Sequence, residues 1–297
     1  MFKILEKNIL LSGSKNILQF NINNKLITVI GEEHYLEKDE ENFTNCKESF
    51  VPIRKGRKKE ESIRTKTYEY IYELVESNIK NDKKILVFLE YGPDFKHQDI
   101  LNTNSYNLKQ VYQILNKKGI QTYGIDERRK LLHYEYQNAL YDSPETYKIN
   151  KENSIYDISS NVFEQVYINP LKHMIKEYKK ILDTKFINKN YYKILNKSLD
   201  ELYDLLNTCI ILFNKNWTGN DSEKFAVIHN FRHLYKNYVD FCLSLKIFEA
   251  IDEDFNIVVL IGNEHISNLD RILGTQIIYN KFTNNNECLS IKNSYIY

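Results

Sequence analysis

The chain is 297 residues long, enough for one large domain or two of ordinary size, and 42% of those residues are hydrophobic, so a sizeable core can form. Its 41 Lys and Arg against 40 Asp and Glu leave a formal charge of +1, too little field to gather phosphates or anionic lipid, which argues against an obligate nucleic-acid partner. No uninterrupted apolar run exceeds about six residues, against the ~20 that cross a bilayer, so no membrane-spanning helix and no membrane partner are expected.

The N-terminal stretch, MFKILEKNILLSGSKNILQF, carries charges at Lys3, Glu6 and Lys7 and only a short apolar run before Ser12. That is too short for the core of a signal peptide, and a cytoplasmic chain is expected. Strands are predicted over 16–22, 26–30, 85–89 and 120–125, with helices of period near 3.6 over 60–80 and 105–118. Alternation of strand and helix is the pattern of a parallel sheet, and the unbroken apolar runs LITVI, ILVFL and IVVLI suit strands covered on both faces. Between them, residues 37–61 form a charged stretch around Arg54, Lys55, Arg57, Lys58 and Lys59, read as a solvated connection or a lid behind His34.

From about 155 to 250 the pattern changes to long helical periods, interrupted at 169–170, 188–190 and 217–221, which predicts three helices. A strand over 256–261, a short helix over 267–273 and strands over 276–279 and 287–291 follow, and these last strands are expected to join the first sheet. The fold class is therefore α/β: a mostly parallel central sheet flanked by helices, with an all-helical insertion before the last strands. In residue terms, 1–150 begins the α/β domain, 151–250 is the helical insertion and 251–297 completes the domain. Four cysteines, Cys46, Cys209, Cys242 and Cys288, lie far apart with no CxxC pair and are expected to be reduced. The 35 Asn, 36 Ile and 7 Arg against 34 Lys reflect an AT-rich coding sequence more than a function.

One phrase occurs twice. Ile30-Gly31-Glu32-Glu33-His34 follows LITV, and Ile261-Gly262-Asn263-Glu264-His265 follows IVVL. Glycine lets a strand turn sharply on leaving the sheet, and the carboxyl edge of an open α/β sheet is where ligands bind. Four strands deliver polar groups to that edge: Glu32, Glu33 and His34; Glu90 with Tyr91, Gly92, Pro93 and Asp94; Asp126, Glu127, Arg128 and Arg129; and Glu264 and His265. Two imidazoles and a carboxylate can hold a divalent metal that activates water, or act without one as general base and acid. Arginine nearby would hold an anion or a developing oxyanion, and Asp126 to Arg129 could equally form a local ion pair.

On the helix expected over 222–245, Phe225, Ile228, Phe231, Tyr235, Tyr238, Val239 and Cys242 share one apolar arc, and Arg232 falls inside its edge. Arginine there is either a site residue or snorkels to a surface carboxylate. His229 and His233 are spaced four apart and could share a metal, although His233 falls on the polar face. No GxSxG phrase offers a serine nucleophile, and no HExxH phrase a zinc protease.

GEEH at 31–34, Glu90 in LVFLEYGPD, GID at 124–126 and VVLIGNEHISNLDRIL at 258–273 together resemble the superfamily of erythromycin esterases, TraB and TIKI-type proteins and ChaN-like haem-binding proteins. The resemblance implies His34 and His265 as central imidazoles, Glu90 as the shared carboxylate, and Glu33 or Glu32 as an auxiliary acid. It also implies an active-site place for Arg232. A hydrolase of a small-molecule or peptide substrate follows as the expectation, either with Mn, Co or Zn on His34, Glu90 and His265 or with a histidine base alone. The alternative is a non-catalytic protein holding haem or another ligand in the same cleft.

Overall fold

Four parallel strands, β3 (Lys25–Glu32), β6 (Ile85–Leu89), β7 (Thr122–Gly124) and β8 (Asn256–Gly262), form the parallel part of the six-stranded sheet of a computed structural model. The structure describes residues 8–12, 14–32, 47–48, 62–103, 105–141, 154–185, 188–273, 277–282 and 287–292. With β2 (Ser14–Ile22) and β9 (Ile277–Phe282) the sheet order is β7-β6-β8-β3-β2-β9. Pairings β7-β6, β6-β8 and β8-β3 are parallel, and β3-β2 and β2-β9 are antiparallel. The architecture is mixed α/β, a largely parallel sheet flanked by helices with a helical region before the last strands. Among the described residues no helix is long and apolar enough to cross a membrane.

The chain divides into two units, residues 1–124 with 249–297, and residues 125–248. In the first, β2 and β3 are joined through Asn23 and Asn24, both at positive φ (50° and 63°), the conformation that a two-residue hairpin turn requires. Helices α1 (Thr67–Lys80) and α3 (Tyr106–Lys117), with the short α2 (His97–Leu101) between β6 and α3, cover one sheet face. There Tyr70, Ile71, Leu74, Leu108, Val111 and Leu115 pack with Ile30, Val87, Leu89, Val258 and Leu260 in one cluster. Helix α3 ends at Gly119, whose φ of 71° permits the bond from Ile120 N to Leu115 O that closes the helix.

Two expectations change here. Residues 62–66, read as the start of a helix, form strand β5 (Ser62–Lys66), in keeping with the β-branched Ile63 and Thr65. The final strands do not both join the first sheet. β9 lies at its edge, while β10 (Glu287–Lys292) sits between β4 (Lys47–Glu48) and β1 (Asn8–Ser12) in a four-stranded sheet of order β4-β10-β1-β5.

The second unit is helical and starts at Ile125, upstream of the 151 boundary set by helical period, because the turn Glu127–Lys130 and α4 (Tyr134–Tyr141) belong to it. Its three long helical stretches are α5 (Ser160–Phe163) continuing into α6 (Asn169–Lys185), then α7 (Lys189–Asn216) and α8 (Asp221–Asp252). Asn169-Pro170 does not break the first of them. Proline lacks the N–H of an α-helical bond, and a π-helical turn over Glu164–Ile168, with Asn169 N bonded to Glu164 O, carries the helix past it. Cys209 and Cys242 are free and buried, and burial pushes both thiols up to about 12, so neither is a nucleophile in the folded chain. Cys46 and Cys288 lie where side chains are outside the described residues.

Candidate functional site

The described parts of the two glycine phrases run side by side. β3 and β8 are parallel neighbours with Gly31 opposite Ile261 and Glu32 opposite Gly262. β6 lies on the other side of β8, with Leu89 opposite Leu260, and Glu90 extends that ladder by donating its N–H to Leu260 O at 3.1 Å. Thus β8 ends between Glu32 on one side and Glu90 on the other, at the edge where open α/β sheets bind ligands.

Beyond β8 the chain does not loop out before turning helical at 267. It enters α9 (Asn263–Leu273) at once, which puts Glu264 and His265 on the first helical turn. This helix crosses β3 closely, and Gly31 is the reason that it can. A Cβ on Gly31 would stand 2.6 Å from Ile266 Cγ1 and 3.1 Å from Asn263 Oδ1. Gly31→Ala is therefore expected to cost about 1–3 kcal/mol of overpacking. Urea unfolding should show the double variant Gly31→Ala, Ile266→Ala less destabilised than the two single changes summed. Strict additivity would mean that the contact is not the constraint.

The centre of the site is the pair Glu90 and His265. His265 is completely buried, and its Nε2 lies 3.5 Å from Glu90 Oε1, whose own side chain is 8% exposed. The other carboxylate oxygen, Oε2, accepts the N–H of Gly262 at the start of α9. Glu90 is thereby anchored through one oxygen to the strand that delivers His265 and faces the imidazole with the other. Glu264 Oε1 is 3.9 Å from the same Nε2, on a side chain that is 55% exposed. Carboxylate and imidazole at this separation can orient a base or stabilise its charged form, and such contacts tighten when substrate binds.

On the β3 side, Glu32 is 2% exposed and Ser105, the residue that caps α3, is 5% exposed. Ser105 Oγ accepts the N–H of Leu108 at 3.3 Å and donates to Glu32 Oε1 at 2.5 Å. Ser105 belongs to no chemical motif in the sequence; its signal is its place at the start of the helical period over 105–118, where a serine serves as cap.

His34 and Glu33 lie outside the described residues. Asp126 belongs to the second unit, where its carboxylate receives Arg128 Nε at 2.7 Å, Arg128 Nη2 at 3.0 Å, Gln137 Nε2 at 3.3 Å and Arg128 N at 3.2 Å. This is the local ion pair, buried instead of solvated. Glu127 pairs with Lys130 at 2.6 Å and Lys246 at 2.8 Å. Arg232 is half-buried on α8 in the second unit, and Arg129 is half-buried beside Arg128. His229 and His233 are exposed there, with His233 Nε2 at 3.2 Å from Asn237 Nδ2.

Two donors held at ~2.1 Å by one tetrahedral ion stand ~3.4 Å apart, close to the spacing of His265 Nε2 and Glu90 Oε1. A third ligand from His34 would lie outside the described residues, and among the described residues no group of three His, Cys, Asp or Glu side chains is placed to hold an ion. No family model, curated protein or solved structure matches the chain.

Proposed function

We propose that the chain is a hydrolase whose water-activating centre is His265 with Glu90, completed by His34. The observation that carries this is the buried 3.5 Å approach of His265 Nε2 to a carboxylate that is itself fixed by the Gly262 N–H. Glu90 orients the imidazole, and the imidazole removes a proton from the attacking water and returns one to the leaving group. Burial supports this role, because a charge developing near these groups is poorly screened by solvent. A divalent ion of the Mn, Co or Zn type, held by His34, Glu90 and His265, would lower the pKa of bound water toward ~7.

The test is turnover of p-nitrophenyl butyrate and of an internally quenched peptide by wild type and His265→Ala, each with and without chelator and added Mn, Co or Zn. Turnover of either probe by wild type, lost in the variant, supports hydrolysis, and chelator sensitivity separates the metal form from the metal-free one. Turnover of neither probe, or equal turnover by both proteins, overturns it. A haem absorbance titration on the same samples then decides for a ligand-binding protein.

A further inference from the structure

The step from β8 into α9 is held by two hydrogen bonds that come from opposite sides. From the β6 side, Glu90 Oε2 accepts the N–H of Gly262, and from the β2 side, Asn16 Nδ2 donates to Oδ1 of Asn263, 247 residues further along the chain. We infer that Asn16 is a positioning residue of this site, holding the first turn of α9 so that His265 faces Glu90. The inference rests on the hydrolase proposed above.

Strand register puts every part of this arrangement on one face of the sheet. Ile17, Ile30 and Leu89 pack in the cluster covered by α1 and α3. Successive side chains of a strand point to opposite faces, so Asn16, Gly31 and Glu90 belong to the other face, the one that α9 crosses. Asn16 stands opposite Gly31 and Gly31 opposite Ile261, which makes three neighbouring strands level where the chain turns helical. Asn263 Oδ1 lies 3.1 Å from the place that a Cβ on Gly31 would take, so the acceptor sits directly over the glycine. The β2 ladder shifts register between Ser14 and Asn16, an irregularity of the kind that re-aims a side chain beside a site. Asn16 itself is 5% exposed, and Leu18, next on its face, is fully buried. Asparagine is depleted in strands, and its bond to the helix is what this position gains from an amide in place of an apolar side chain. Asn263 and His265 share the first turn of α9, so a shift of that turn about Gly262 moves the imidazole relative to Glu90, which is anchored at the end of β6. The 3.5 Å approach of His265 Nε2 to Glu90 Oε1 therefore draws on both bonds, and a displacement of about 1 Å at such a site can cost on the order of 100-fold in rate.

The bond can be separated from the space that the side chain fills. Asn16→Ala removes both, whereas Asn16→Leu keeps a branched side chain with neither polar atom. With the probe that wild type turns over, both are expected to lower kcat about 10- to 100-fold with KM within about two-fold, and urea midpoints should stay close to wild type. Asn263→Ala is expected to lose as much, and the double variant Asn16→Ala, Asn263→Ala to fall no more than about three-fold below the slower single one, because the two changes remove the same bond. If wild type is active and Asn16→Ala or Asn16→Leu matches it, or if the losses of the two alanine changes multiply, Asn16 does not position the turn and the hydrolase stands without it. A fall in kcat that appears only with a lowered midpoint likewise makes Asn16 a residue of the scaffold alone. If wild type turns over neither probe, the hydrolase fails and this role fails with it.

Discussion

Glu90→Gln should lower turnover by about 10²- to 10⁴-fold, the range that a positioned proton-transfer group supplies. The amide retains an oxygen that can accept the Gly262 N–H, so the strand end should keep its place. What it loses is the negative charge facing His265 Nε2 at 3.5 Å. Glu90→Ala should lose as much turnover and, in addition, about 1–3 kcal/mol of stability, because it leaves the Gly262 N–H and a fully buried imidazole without the group that meets them. Urea midpoints and steady-state kinetics on the two variants separate the losses. Glutamine at the wild-type rate would remove Glu90 from the chemistry, and alanine with an unmoved midpoint would remove it from the scaffold.

Phe163→Ala is expected to produce the largest stability change, about 3–5 kcal/mol, which is a third or more of what holds many folded domains together. Phe163 is fully buried, with its ring centroid 4.1 Å from Trp217, 4.7 Å from Tyr167, 4.9 Å from Phe213 and 5.1 Å from Phe231. It joins α5 to α7 and α8, so no single helix can shift to close the hole. Trp217 is the one tryptophan of the chain, and its indole also donates to Ile158 O at 3.2 Å. Fluorescence therefore reads this core directly. The variant should show a lower denaturant midpoint and a changed native emission, while Phe225→Ala, at a ring 38% exposed, should move the midpoint by less than about 0.5 kcal/mol equivalent. Equal effects from the two would mean that the aromatic cluster is not what stabilises the helical unit.

The strands that carry the site were legible because their burial on both faces leaves a long apolar word in the sequence. ILVFL at Ile85–Leu89 and IVVLI within Asn256–Gly262 are such words, each followed by its polar group. Local spacing could not show what depends on distant partners. Residues 62–66 have enough charge and helical neighbours to read as helix, yet pairing with β1 makes them a strand. Pro170 reads as a break because a π-helical turn has no sequence mark of its own. The early start of α9 was hidden for the same reason, since Gly262 reads as a strand exit whether a loop or a helix follows. Glu90 and His265 are candidates that strand ends alone marked, and the structure brings their side chains to 3.5 Å. The bond from Ser105 to Glu32 was not legible, because that hydroxyl meets the carboxylate only once α3 is packed on the sheet.

The central position of β8 has a consequence for biosynthesis. A nascent chain that has emerged through β7 holds β3 and β6 but lacks the strand that separates them, because that strand begins at Asn256. Until then the two strands cannot close on each other in their native register, and each presents an open edge of the kind that recruits foreign strands. The sheet, and with it the paired acid and imidazole, is completed only once the whole helical unit and then β8 have left the ribosome.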